Sequence, residues 1–155
     1  AWDTRIENYL SQEINPDNVL MFFNVYKVAL AAGVKRVIMA SSVHADSFTT
    51  TRDGELLTPN QIPEPRVPYG VTKVYMEMMG RYFATRGLEV VCIRYGGANP
   101  GTGKQRRITP EENGRLVQAI LDAPTIPNNF AIVYGVSIQQ PIKFDIQNPF
   151  GWKPL

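Results

Sequence analysis

Apolar residues recur with two different spacings along this 155-residue chain, and their alternation predicts helices interleaved with buried strands. Val19, Leu20, Phe23, Tyr26 and Leu30 follow a helical period behind Asn15-Pro16, where Asn suits the cap and Pro the first helical position. Gly33 supplies the stop. Residues 34–41 are nearly continuously apolar after their first turn, the pattern of a strand buried in a parallel sheet. A second helix is predicted over residues 69–86, ended by Gly87, and residues 88–95 form the next buried strand. Thr109-Pro110-Glu111-Glu112 announces a third helix through a capping box, and Ala123-Pro124 closes it. A short strand over residues 130–134 and an irregular tail complete the pattern. Strand, crossover, helix and strand in this order predict an α/β fold with a parallel sheet. Phe22, Phe23, Tyr26, Tyr82 and Phe83 lie at helical spacing and are expected to pack in the core or at a subunit interface.

Two stretches interrupt the pattern. Residues 46–68 are polar and hold Pro59, Pro63, Pro65 and Pro68, a loop of the length that tends to carry function. After Gly96-Gly97 a second loop contains Ala98-Asn99-Pro100-Gly101-Thr102-Gly103-Lys104-Gln105. It is not a phosphate-binding loop: Ala98 stands where the first glycine belongs, and Gln105 where a Ser or Thr would hold magnesium.

With 44% hydrophobic residues the chain can build one core, and a net charge of +2 makes no case for nucleic acid. Its only dense basic stretch, Lys104-Gln105-Arg106-Arg107, is too short for a binding stripe. The single cysteine, Cys92, excludes a disulfide framework and points to a reducing compartment. No apolar run approaches the ~20 residues of a membrane span and no signal-peptide pattern opens the chain, so a soluble cytoplasmic protein is expected.

The candidate chemistry centres on Pro68-Tyr69-Gly70-Val71-Thr72-Lys73. Four residues apart on a helix, Tyr69 and Lys73 share a face. An ammonium beside a phenol lowers the phenol pKa from ~10 toward working pH, so that it can exchange a proton with a substrate alcohol or carbonyl. Ser42 stands at the carboxyl end of the first predicted strand, the edge where α/β sheets bind ligands, and its hydroxyl can steady charge on a substrate oxygen. His44 is the sole histidine and has no acid partner in view, which argues against a Ser-His-Asp triad. One His and one Cys leave no zinc site to propose.

Four segments occur in an order and spacing that resemble the extended short-chain dehydrogenase/reductase family of NAD-dependent epimerases, dehydratases and dehydrogenases. They run from Asn18-Val19 through Asn24-Val25, from Ala31 through Ala40-Ser41-Ser42, from Tyr69 to Lys73, and from Val90-Val91-Cys92 to Ile93-Arg94-Tyr95. Within that family Ala40-Ser41-Ser42-Val43-His44, Val133-Tyr134-Gly135-Val136-Ser137 and Phe150-Gly151-Trp152-Lys153-Pro154 are most similar to uronate dehydrogenases. Those enzymes carry Asn where this chain has Val43, and an apolar side chain cannot bond a sugar hydroxyl.

The resemblance implies a Rossmann-like parallel sheet with flanking helices and NAD or NADP as cofactor. It implies Ser42, Tyr69, Lys73 and Asn18 as catalytic residues, Asn18 by holding a proton-relay water. Ala40, Ser41, Tyr69, Lys73, Tyr95 and Gly96 would contact the cofactor, Lys73 through the nicotinamide ribose. Ser42, His44 and Arg115 would contact a small sugar or sugar-acid substrate, Arg115 by gripping a carboxylate with its two-pronged guanidinium. A homodimer is implied, with no nucleic acid or membrane partner. The alternatives are a nucleotide-sugar epimerase or dehydratase, served by Lys104, Arg106 and Arg107, and a non-catalytic cofactor sensor on the same fold.

The glycine-rich turn that grips a dinucleotide pyrophosphate is missing before Asn18. The expectation is therefore a single partial NAD(P)-binding domain over residues 1–155, lacking the N-terminal βαβ units and carrying substrate-binding elements over about residues 96–155. Alone, such a chain is expected to bind dinucleotide weakly or not at all.

Overall fold

The computed structural model describes residues 13–46, 56–96, 108–137 and 143–155. Along them run helix α1 (Pro16–Ala31), strand β1 (Arg36–Ser42), a 3-10 turn (Val43–Ala45), helix α2 (Pro68–Ala84) and strand β2 (Glu89–Tyr95). Helix α3 (Pro110–Asp122), a second 3-10 turn (Pro127–Asn129) and strand β3 (Phe130–Gly135) follow. The strands pair in parallel in the order β1-β2-β3. The α/β, Rossmann-like reading therefore holds, with every predicted helix and strand within two residues of its expected bounds.

The caps act as their chemistry dictates. The Asn15 side chain accepts from the Asp17 N–H at 2.9 Å, and Pro16 fills a position whose N–H would have had no partner. Gly33 ends α1 at φ +70°, a conformation that strains other residues, while the Val34 N–H returns to the Ala29 carbonyl at 3.0 Å. At α3, Thr109 and Glu112 exchange bonds of 2.8 and 3.1 Å in the expected capping box.

Successive residues of β2 point to opposite faces, so one strand feeds two cores. Val90 and Cys92 pack with Phe22, Tyr26, Met76 and Phe83 from α1 and α2. Val91 and Ile93 pack with Leu116, Ile120, Val133 and Trp152 from α3, β3 and the tail. Burial of each such side chain contributes about 1.5–3 kcal/mol.

Two expectations are corrected. The inward face of α1 is Asn18, Phe22 and Tyr26, whereas Leu20 is 58% exposed and Val25 and Val28 are also open. Phe23 and Tyr26 turn one flank of α1 onto Phe83 of α2, at ring distances of 5.8 and 5.6 Å. Met21, Val25, Val28 and Val34 line a shallow apolar groove of about 700 Å³ on the other flank. Apolar positions occur on more than one side of this helix, so periodicity alone could not select the buried one. Strand β1 is the second correction: its first four residues are only half-buried and Ala40 is exposed, because β1 lies at an edge of the sheet that the described residues form. Of the aromatic set, Phe22, Tyr26 and Phe83 are core, while Tyr82 is 44% exposed.

Candidate active site

The carboxyl ends of the strands assemble the candidate residues. Register aligns Ser42 with Tyr95 and Tyr95 with Gly135, so three strand ends form one row. Beyond β1 the chain turns at once: the Ser42 hydroxyl accepts from the His44 N–H at 3.2 Å and caps the 3-10 turn. That turn meets the opening of α2, where the His44 ring stands edge-on to Tyr69 with centroids 5.6 Å apart. Gly70 makes the approach possible. A Cβ there would lie 2.0 Å from the His44 carbonyl oxygen, so any side chain must displace the turn.

Lys73 lies one turn further along α2, buried to 5% exposure. Its Nζ donates to the Ala40 carbonyl at 2.8 Å and stands 5.5 and 5.4 Å from the Tyr69 and Phe22 ring centroids. Burial brings its pKa down to about 8. His44 is likewise pushed below its ordinary value by burial. Asn18, in the first turn of α1, is buried, with its Nδ2 amide making no hydrogen bond among the described residues. A buried donor left over in this way can serve a water or ligand.

The remaining candidates divide. Ser41 is buried and its Oγ donates to Glu77 Oε1 at 2.6 Å. The half-buried Tyr95 hydroxyl donates to Asn113 Oδ1 at 2.7 Å, joining the end of β2 to α3, and burial raises its pKa. Gly96 is buried and its N–H donates to the Gly135 carbonyl at 3.4 Å. Arg115 is on the exposed side of α3 and makes no hydrogen bond or ion pair among the described residues. Lys104, Arg106, Arg107 and the loop around them lie outside the described residues. Among the described residues no three His, Cys, Asp or Glu side chains group as metal ligands, and no helix is long and apolar enough to cross a membrane.

Sequence reasoning missed the polar cluster behind the site. Arg94, fully buried, forks onto Glu77 with Nε–Oε1 and Nη2–Oε2 distances of 2.9 Å each. Its Nη1 reaches Asp46 Oδ2 at 2.9 Å, and the Tyr134 hydroxyl donates to the same oxygen at 2.8 Å. Burial works against the Arg94 charge, but its bonds to Glu77 and Tyr134 outweigh it and keep the guanidinium protonated. Two signals pointed here: Glu77 stands four residues beyond Lys73, and Arg94 is a lone charge inside an apolar strand.

An open parallel sheet with convergent polar groups at its carboxyl edge defines a ligand-binding α/β protein. The chain belongs to the NAD dependent epimerase/dehydratase family, which matches residues 6–122. It is 32% identical over 139 residues to a uronate dehydrogenase of Pseudomonas syringae, covering 86% of this chain and 49% of that one. It is 31% identical over 137 residues to an L-arabinose 1-dehydrogenase (NAD(P)+) of Haloferax volcanii, covering 75% and 54%. Among solved structures, uronate dehydrogenase from Agrobacterium tumefaciens superposes with a TM-score of 0.75 at 28% identity, covering 89% of this chain and 53% of that one. A tyrosine-to-alanine mutant of that enzyme complexed with NAD gives the same values. The chain thus spans about half the length of the curated relatives it matches.

Proposed function

We propose that this chain is the catalytic portion of an NAD(P)-dependent oxidoreductase or epimerase acting on a sugar or sugar acid. The observation that carries the reading is the meeting of Ser42, Tyr69 and Lys73 at the carboxyl edge of the sheet, with His44 beside them. Family membership and the dehydrogenase names of the relatives support it. We read residues 1–155 as one partial nucleotide-binding domain, with substrate-binding elements in about residues 96–155.

In this reading a bound nicotinamide supplies hydride transfer, and the chain moves the proton. The Tyr69 phenol exchanges it with the substrate oxygen while the Lys73 ammonium favours the phenolate. The Ser42 hydroxyl steadies charge on the same oxygen. Asn18, with its free buried amide, orients a water that passes the proton onward. Ala40, Ser41, Tyr95 and Gly96 form the wall against which the nicotinamide end would rest, and His44 lines the substrate side. The residues present suit that end of a dinucleotide.

A small sugar acid is the preferred substrate class, with Arg115 as its clamp. Its exposed, unengaged guanidinium is available for that task. A substrate panel on the full-length protein tests this, comparing Arg115→Ala with the triple replacement of Lys104, Arg106 and Arg107. The single change should raise the KM for a uronate or aldonate by about tenfold or more, as the loss of a charge-assisted bond of about 1.5–3 kcal/mol requires. Weakening by the triple change alone would instead favour a nucleotide sugar. Absence of turnover with every sugar would favour a cofactor sensor.

The same reading includes a reducing cytoplasmic location, supported by the single buried Cys92, and a homodimer. Val71, Met78 and Tyr82 leave an exposed apolar stripe along α2 that a second copy could cover. Sedimentation equilibrium should give twice the monomer mass; a monomer at micromolar concentration would refute the dimer.

A further inference from the structure

Lys73 is a buried cation, and whatever keeps it charged decides whether it can act on Tyr69. Its surroundings can be followed element by element. Tyr69 and Glu77 flank it on α2, Cys92 and Arg94 face it from β2, Tyr26 lies on α1, and His44 is in the turn after β1. Burial pushes the Cys92 thiol and the Tyr26 phenol well above their ordinary values, so neither is an anion at neutral pH. His44 is held neutral by the same cause. Among the described residues the neighbouring carboxyl groups are Glu77, on the face Lys73 occupies one turn earlier, and Asp46, joined to it through Arg94. Two carboxyl groups thus share the single guanidinium of Arg94.

We propose that the buried cluster Glu77–Arg94–Asp46 is the counter-charge and positioning device for Lys73, a role that rests on the proton-transfer reading of Tyr69 and Lys73. Its bonds match that work. Glu77 accepts from Ser41 Oγ at 2.6 Å, one residue after the carbonyl that holds the Lys73 ammonium. Asp46 ties the far end of the turn that carries His44 to both Arg94 and Tyr134. Gln61 adds a bond of 2.9 Å to the other Asp46 oxygen, drawing part of the long proline-rich loop into the cluster. The cluster therefore holds helix, strand end and turn in one arrangement while its charge offsets the cost of burying Lys73. Burial lowers the lysine, while the neighbouring Cys92 and then Glu77 act to raise it, so the midpoint falls only to about 8.

The test is an NMR titration of the Lys73 side chain, using 13C-labelled lysine in the 155-residue protein and assignment by Lys73→Arg. Lys73 should lose its proton near pH 8 in the unaltered chain. Glu77→Gln should lower that midpoint by about one pH unit or more. Asp46→Asn, which spares the Glu77–Arg94 fork and is the gentler change, should move it in the same direction by less. Unchanged midpoints in the folded variants would overturn the proposal. So would a midpoint of about 5–6 in the unaltered chain, the range of buried lysines with no counter-charge. In the full-length enzyme the alkaline limb of the kcat profile should follow the titration. If the titration shifts and no substrate is turned over, the counter-charge stands and the catalytic reading falls.

Discussion

Tyr69→Phe in the full-length enzyme is expected to lower kcat by about 10²–10⁴-fold, the usual worth of a positioned general acid or base. The ring keeps its edge-on contact with His44 and its place beside the Lys73 ammonium, so folding should be nearly unaffected. Loss confined to kcat is the signature to look for, because the phenolic proton is needed only as charge develops on the substrate oxygen. Steady-state kinetics with circular dichroism as the control would decide. Near-normal turnover would remove the proton-transfer role altogether.

The largest effect on stability is expected at Arg94. Arg94→Met fills much of the same volume but leaves Glu77 and Asp46, both buried, without their shared cation. Breaking a buried ion pair from one side costs about 3–5 kcal/mol, mostly the expense of the abandoned charge. A loss of unfolding free energy of that order, read from urea denaturation, is expected. A folded Arg94→Met variant with an unchanged midpoint would mean that the three groups are not coupled as their geometry indicates.

Much of this architecture was legible because its signals are local. Asn15-Pro16, Gly33 and the Thr109–Glu112 box each act within a few residues, and each did so in the structure. The site was half legible for the same reason. Tyr69 and Lys73 are helical neighbours and Ser42 ends a strand, so spacing alone brings them toward one edge. Asp46, Glu77, Arg94 and Tyr134 come from four separate places in the chain, and no pattern in the sequence tells Arg94 that its partners lie 17 and 48 residues away. Leu20, read as part of the inward stripe of α1, is exposed for a related reason. Which side of an apolar helix is buried depends on neighbours that periodicity does not name.

Lys73 also bears on the outer side of β1. The Glu89 N–H donates to the Lys35 carbonyl at 3.0 Å, which turns Lys35, and with it every second residue of β1, toward β2. The alternate residues Arg36, Ile38 and Ala40 direct their backbone groups away from the sheet. The Ala40 carbonyl is the one that Lys73 holds. The reactive charge is thus seated on a backbone oxygen of the strand itself, so a shift of β1 along its neighbour would carry the ammonium with it.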